Sequence, residues 1–367
     1  MKRKLFLALP ALILTLIAFP CFAETPEADL KKQFSASYKA FKKAEQQNSA
    51  STLKLALQVL ELGKQVYPEG SEVLAVLNHN VGFYLRKAER FQEAKTHLNR
   101  ALKIFEQIHG KGSLTLIDTL MELGHANQKH FQYANQKYYR RALKIAKQQE
   151  GESSVVVAQL NYDIGVWLLE FAQTPHSRKY LEKAYKLFTE NSGAQDIQTG
   201  MSAFYLAKLK MAQKRYRAAQ KLLEAALPAF DIPDKPEYKI ELTTRAFLVE
   251  VYERLGERGK ANTHCQAIGK ATPWDASQKA RPIFRKSPKY PAGALHSGRE
   301  GYAILSLTID KNGFAVDPEV IETVGSPSFG KAALDVVGDM RFTPRFENGQ
   351  PVDTLGVTYQ YTFKLAK

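Results

Sequence analysis

Along residues 24–270 apolar positions recur at helical spacing, and prolines are nearly absent from the periodic stretches. Ala, Leu, Lys, Gln and Glu dominate there, a composition that favours helices. The pattern also repeats on a longer scale. Ala94, Leu98 and Ala101 form an A-x3-L-x2-A unit, and Ala219, Leu223 and Ala226 form another, with Leu181 and Ala184 between them. The equivalent alanines Ala101, Ala142, Ala184 and Ala226 stand 41, 42 and 42 residues apart, and Gly82 and Gly165 each precede their alanine by nineteen. Carried forward, the register reaches Ala261, Cys265 and Ile268; carried backward, it reaches Ala56, Leu60 and Gly63. Small residues let two helix backbones approach where they cross, and a lone pair leaves a second face uncovered, so pairs stack. The register predicts six stacked helix pairs. Asn135 and Val249 depart from the small residues expected at their positions in the third and last pairs.

Periodicity fails at 271–281, where Pro273, Trp274 and charged residues enter, and this stretch reads as a linker. Beyond it the period is two. Ala303, Leu305, Leu307 and Ile309 share one face of a strand, with Tyr302, Ile304, Ser306 and Thr308 on the other. Asp310-Lys311-Asn312-Gly313 is a hairpin turn, since Asn and Gly tolerate positive φ. Phe314–Thr323 returns antiparallel. Ser326 is placed to cap a helix over about 329–340 whose Ala332, Val336 and Val337 face the sheet. The final strand, about 355–365, alternates Val357, Tyr359, Tyr361 and Phe363 on one side. The fold class is an α-helical solenoid followed by a small α+β domain.

The helical register, with Ala101-Leu102-Lys103-Ile104 and Ala142-Leu143-Lys144-Ile145 followed by Gly110-Lys111-Gly112-Ser113 and Gly151-Glu152-Ser153-Ser154, resembles tetratricopeptide repeats (TPR) of the long kinesin-light-chain-like kind. The resemblance implies an array that binds proteins, with the first helix of each pair lining a groove. Carried over, the groove positions are His79, Phe83 and Arg86, then Met121, His125 and Gln128, then Tyr162, then Phe204, Lys208 and Met211. Aromatic, Met and basic side chains together suit an extended peptide. On the competing reading, Phe83, Tyr162 and Phe204 are core residues between neighbouring pairs.

Residues 282–366 run Tyr290-Pro291-Ala292, Gly298-Arg299-Glu300-Gly301, the two strands, Arg341-Phe342-Thr343-Pro344, Asn348-Gly349-Gln350-Pro351-Val352 and Phe363-Lys364-Leu365. This ordered set resembles the C-terminal domain of the TonB family. The resemblance implies that an extended segment of an outer-membrane transporter, the TonB box, adds as a strand to an open sheet edge. The edge implied is the last strand, with Leu355, Val357, Tyr359, Tyr361 and Phe363, and the docking region includes Tyr290, Pro291, Arg341 and Phe342. Tyr290, Pro291 and Phe342 equally suit packing, and Gly298, Gly301, Gly313 and Gly349 suit backbone geometry. The chain departs from a full TonB protein. A repeat array stands where that family has a Pro-rich spacer, and Leu5–Ala18 carries only Thr15 as a polar side chain.

The remaining features bear on location. Met1-Lys2-Arg3-Lys4, an apolar run broken by Pro10 and Pro20, and a Cys21-Phe22-Ala23 edge read as a cleaved signal peptide over residues 1–23. The competing reading is a retained inner-membrane anchor facing the periplasm, because residues 5–23 carry no charge. Cleavage leaves Cys265 alone, at a core position of a repeat helix. Of the net charge of +15, the signal holds +3 and residues 281–367 hold +2, leaving +10 over 24–280. A Lys-rich solvated surface explains it, and attraction to an acidic partner or anionic envelope surface is the alternative.

No nucleotide-binding loop, nucleophile elbow, zinc-protease motif or CxxC occurs, so the sequence points to no enzyme, cofactor or metal. His125 and His130 share no helix face well enough to hold a metal. The sequence reading is therefore a periplasmic TonB-like adaptor with TPR docking of an envelope partner. Its alternatives are an anchored energy transducer for uptake of iron complexes or other nutrients, and a scaffold whose terminal domain dimerises or caps the array. Which transporter, nutrient or repeat partner is involved is not written in the sequence.

Overall fold

A computed structural model describes residues 26–126, 134–170, 174–230, 239–271 and 282–365. The expected signal segment and almost all of the expected linker lie outside these residues, as does Gln128. The chain divides into two compact units, Met1–Leu187 and Phe188–Lys367, so the last helix pairs share a unit with the C-terminal sheet.

Six helix pairs follow one another: α1 (Pro26–Gln46) with α2 (Thr52–Val66), α3 (Glu72–Lys87) with α4 (Phe91–His109), α5 (Ile117–His125) with α6 (Ala134–Glu150), α7 (Val155–Glu170) with α8 (Thr174–Ser192), α9 (Ile197–Ala212) with α10 (Tyr216–Ala226), and α11 (Lys239–Leu255) with α12 (Arg258–Ala271). The small-residue register marks where they cross. Ala101, Ala142, Ala184 and Ala226 are all fully buried. A Cβ on Gly82 of α3 would lie 2.5 Å from Leu98 of α4, and one on Gly165 of α7 would lie 2.7 Å from Leu181 of α8. The third pair solves the same crossing differently. Gly124 of α5 receives the ring of Tyr139 from α6, so an aromatic stands where the neighbouring pairs use leucine. In the last pair Val249 and Cys265 fill the crossing, both fully buried, and desolvation pushes the thiol pKa up to about 12. Cys265 is a core residue.

The C-terminal part opens with β1 (Pro282–Phe284) and α13 (Ala292–His296). Strands β2 (Gly301–Ile309) and β3 (Ala315–Val324) form a hairpin, α14 (Ser328–Val337) packs on it, and β4 (Arg341–Phe342), β5 (Arg345–Glu347), β6 (Gln350–Val352) and β7 (Thr354–Phe363) complete the domain. The main sheet is antiparallel in the order β3-β2-β7, with β4 on β1 and β5 on β6 as separate short pairs. The hairpin turn is fastened by Asp310, whose carboxylate accepts from the amides of Asn312 at 2.9 Å and Phe314 at 2.8 Å, while Gly313 takes φ +86°. Burial alternates along β2 as its spacing requires, with Ala303, Leu305, Leu307 and Ile309 inside.

Two local expectations need correction. The helix ends at Val337, and its inward face centres on Phe329, Ala333 and Val337, with Ala332 and Val336 only partly buried. The Phe329 ring, stacked on Phe363 at 4.2 Å, rotates the helix so that the aromatic faces the sheet. Nor does Ser326 cap α14. Its hydroxyl pairs with that of Ser328 at 2.8 Å, and no side-chain cap forms at the N-terminus.

Candidate functional site: an open sheet edge and a repeat groove

The main sheet has two edge strands among the described residues, and they differ. Edge strands expose unpaired amides and carbonyls, and proteins blunt them with bulges, prolines and charge. β3 carries all three. Its register on β2 slips at Ile321 and again near Asp317, where φ is +48°. Pro318 lacks an amide hydrogen, and Asp317, Glu319 and Glu322 add charge. β7 carries none of these from Val357 to Phe363. That stretch pairs with β2 without a slip, from Leu307 opposite Val357 to Gly301 opposite Phe363, and holds neither proline nor charge. The irregularity of β7 is confined to its start, where Gly356 takes φ +66° and Leu355 stands 78% exposed.

The side chains expected at this edge fall into two sets. Val357, Tyr359, Tyr361 and Phe363 face the helix-covered side, where Tyr361 and Phe363 are buried and the other two half-buried against the core. Thr358, Gln360 and Thr362 are exposed on the open side. A strand added here would therefore meet backbone along its length, half-buried Val357 and Tyr359 on one side, and hydroxyls and an amide on the other. Tyr290 packs edge-on against Phe329 and Phe363, each at 5.7 Å, and donates its hydroxyl to the Arg299 carbonyl at 2.6 Å. Pro291 precedes α13 as its N-cap residue.

Arg341 and Phe342 are corrected. Both are fully buried, which leaves them no surface for a peptide. Phe342 packs edge-on against Tyr359 at 5.8 Å. The Arg341 guanidinium turns away from the sheet into the last helix pair, where Glu253 of α11 accepts from Nε at 2.6 Å. It also donates to the carbonyls of Asn312 at 3.0 Å and Arg258 at 3.3 Å and to the Asn262 side chain, and lies 3.5 Å from the centre of the Phe314 ring. The sequence could not reveal this, because the partner lies 88 residues away in another element.

In the first unit the expected groove positions of α3 and α5 converge. His79 pairs with Thr119 at 3.0 Å, and burial lowers its pKa, which keeps it neutral. Arg86 reaches Glu122 at 2.5 Å and lies between the rings of Phe83 at 5.2 Å and Trp167 at 5.0 Å. His125 packs at a tilt against Trp167, ring centres 4.2 Å apart, and desolvation lowers its pKa. Desolvation also pushes Glu122 up, but His125 and Arg86 beside it outweigh that and hold the carboxyl at about 2. Met121 is buried and Tyr162 half-buried. In the second unit Phe204 is buried against Phe247 at 5.5 Å, as a packing residue between pairs, while Lys208 is exposed over the Phe204 and Tyr205 rings and Met211 is half-buried.

Glu122, Asp118, Asp163 and Trp167 were missed by the sequence reading. A signal existed for two of them: Glu122 and Asp163 occupy the same repeat position, 41 residues apart, each directly after an expected groove residue. Asp118 has a measurable consequence. Desolvation, with repulsion from Glu122 and Asp163, raises its pKa from 3.8 to about 7. Folding therefore binds a proton at Asp118 between those values, and its stabilising contribution is lost as pH rises through about 7. Asp118→Asn should then gain about 2 kcal/mol on wild type at pH 8 but little at pH 4. Denaturant midpoints at the two pH values check this, and an equal difference at both would refute the half-buried, desolvated and repelled carboxylate.

Residues 286–365 match the family profile of the Gram-negative bacterial TonB protein C-terminal, and residues 72–135 match that of the tetratricopeptide repeat. Both are protein-interaction domains. The apo form of RapI is similar over 68% of this chain and 66% of its own, with 16% identity and a TM-score of 0.52. A Pyrococcus horikoshii signal-transduction ATPase of the STAND class with a tetratricopeptide repeat sensor is similar over 65% of this chain and 36% of its own, with 16% identity and a TM-score of 0.50. These likenesses show a helical-repeat fold. The solution structure of the Pseudomonas aeruginosa TonB C-terminal domain aligns at 29% identity over 25% of this chain and 92% of its own, with a TM-score of 0.22. A clustered mitochondria protein homolog of Candida albicans is 25% identical over 131 residues, and the chain spans 10% of that protein.

Proposed function

We propose that this protein is a periplasmic adaptor that takes up an extended, TonB-box-type segment of an outer-membrane transporter by strand addition on β7, while its repeat array docks a second envelope protein. The observation that carries the reading is the asymmetry of the sheet edges. β3 is bulged, charged and interrupted by Pro318, whereas β7 offers seven regular, uncharged residues from Val357 to Phe363. Backbone pairing supplies affinity in such recognition, with alternate side chains giving selectivity. The match of residues 286–365 to the TonB C-terminal profile supports the same reading. The basic start and apolar run of residues 1–23 support the location.

The test is calorimetric titration of the full chain with peptides from transporter plug termini. Along an edge strand one amide points to the neighbour and the next points outward, so a proline at Thr358 and one at Val357 or Tyr359 remove amides of opposite register. One register should lose binding at least about tenfold, while Thr358→Ala, which keeps the backbone, should bind nearly as wild type. Thermal melts of each variant separate lost binding from lost fold, which matters because Val357 and Tyr359 pack on the core. Failure of every peptide to bind, or indifference to all three prolines, overturns strand addition. Sequencing the N-terminus of purified envelope protein tests the location, with Glu24 expected first; an intact Met1 on membranes would favour the anchored transducer instead.

A further inference from the structure

The sheet domain and the last helix pair share a polar core that neither could complete alone. We propose that the C-terminal sheet domain is the terminal cap of the helical array, keyed by the Arg341–Glu253 pair, so that residues 239–271 and 282–365 open and close as one cooperative body. This inference stands whether or not β7 accepts a partner strand.

A stack of helix pairs ends on a pair with nothing beyond it, and repeat arrays need a capping element there. Here β1 packs on α11, and β5 and β6 pack on α12. Gly269 of α12 has no room for a side chain, because a Cβ would overlap the Pro344 carbonyl of the sheet domain. Arg254 of α11 lies over the Phe284 ring of β1 at 5.0 Å. At the centre, the Arg341 and Glu253 side chains are 0% and 3% exposed. Arg341 donates both to the helix pair, at Glu253, Arg258 and Asn262, and to the hairpin turn of its own domain, at Asn312. Arg258 and Lys286 converge on Asp339 at the rim, at 2.7 and 2.5 Å. Exposed rim pairs contribute little, whereas a buried, fully hydrogen-bonded pair is lost only when both sides separate. Through Phe342, which follows Arg341 and touches Tyr359 of β7, the same key fixes the open edge relative to the helices.

The experiment is backbone hydrogen exchange on the full chain. Phe329→Ala weakens the sheet domain from within its own core, where Phe329 is fully buried. With the junction intact, exchange should rise about 100-fold or more in both the sheet and α11–α12. In the Glu253→Leu/Arg341→Met background the rise should be confined to 282–365. Unchanged exchange in α1–α4 verifies that the first unit is folded, and complete unfolding of the sheet domain is equally decisive, because the readout is the helix pair. A rise limited to the sheet with the junction intact overturns the cap. A rise that still spreads to α11–α12 in the double variant overturns the role of the ion pair as its key.

Discussion

Arg341→Met alone is expected to lower the stability of the second unit by about 3–5 kcal/mol. The substitution strands the Glu253 carboxylate at 3% exposure, with its principal cation removed, and leaves the Asn312 and Arg258 carbonyls short of a donor. Glu253→Leu should cost a similar amount by stranding the guanidinium instead. The double variant should recover most of either loss, because two apolar side chains of similar size remove the buried charge altogether. Denaturant unfolding of the four proteins forms a double-mutant cycle. An effect of each single substitution below about 1 kcal/mol, the range of solvent-exposed ion pairs in general, would rule out a buried key.

Gly301→Val is expected to cost about 3 kcal/mol or more, through overlap with main chain that has nowhere to move. A Cβ at Gly301 would overlap the Val324 carbonyl, and one at Gly325, at φ +88°, would overlap the Glu300 carbonyl. The two glycines thus let the start of β2 and the end of β3 approach at the open end of the hairpin, opposite the Asp310–Gly313 turn. Gly298 provides the comparison. It has φ +64° but open space around its Cα, so Gly298→Ala should cost only about 1–2 kcal/mol, the conformational penalty alone. Thermal unfolding of both variants checks the ranking, and a Gly301→Val protein as stable as Gly298→Ala would contradict the close approach.

The repeat register was legible because each small residue answers to a local requirement that recurs at fixed spacing. Ala101, Ala142, Ala184 and Ala226 each sit where a partner helix crosses closely, so the spacing of crossings is written as a spacing of alanines. The β2 alternation and the Asp310–Gly313 turn were legible for the same reason, since side-chain direction and turn geometry depend on a few neighbouring residues. Tyr139 was not legible. Its partner Gly124 keeps the register, but the exchange of leucine for an aromatic is settled by the volume between two helices.

The candidate sites divide along the same line. The sequence by itself determined that six helix pairs precede a small sheet, and which strand ends the chain, because periodicity and turn chemistry act over a few residues. It also picked out Arg86 and His125, but not that Glu122 and Trp167 would hold them in a closed ion-pair and aromatic cluster. The resemblance already implied the last strand as the open edge, and Pro318 and the charges of β3 stand in the sequence. Only the tertiary structure added the bulges of β3 and the unslipped pairing of β7, which appear only when strands are paired. Only the tertiary structure turned Arg341 from a surface contact into the buried key of the last helix pair. A guanidinium carries the same charge wherever it stands, and its burial is fixed by a carboxylate 88 residues away that pairing along the chain cannot reveal.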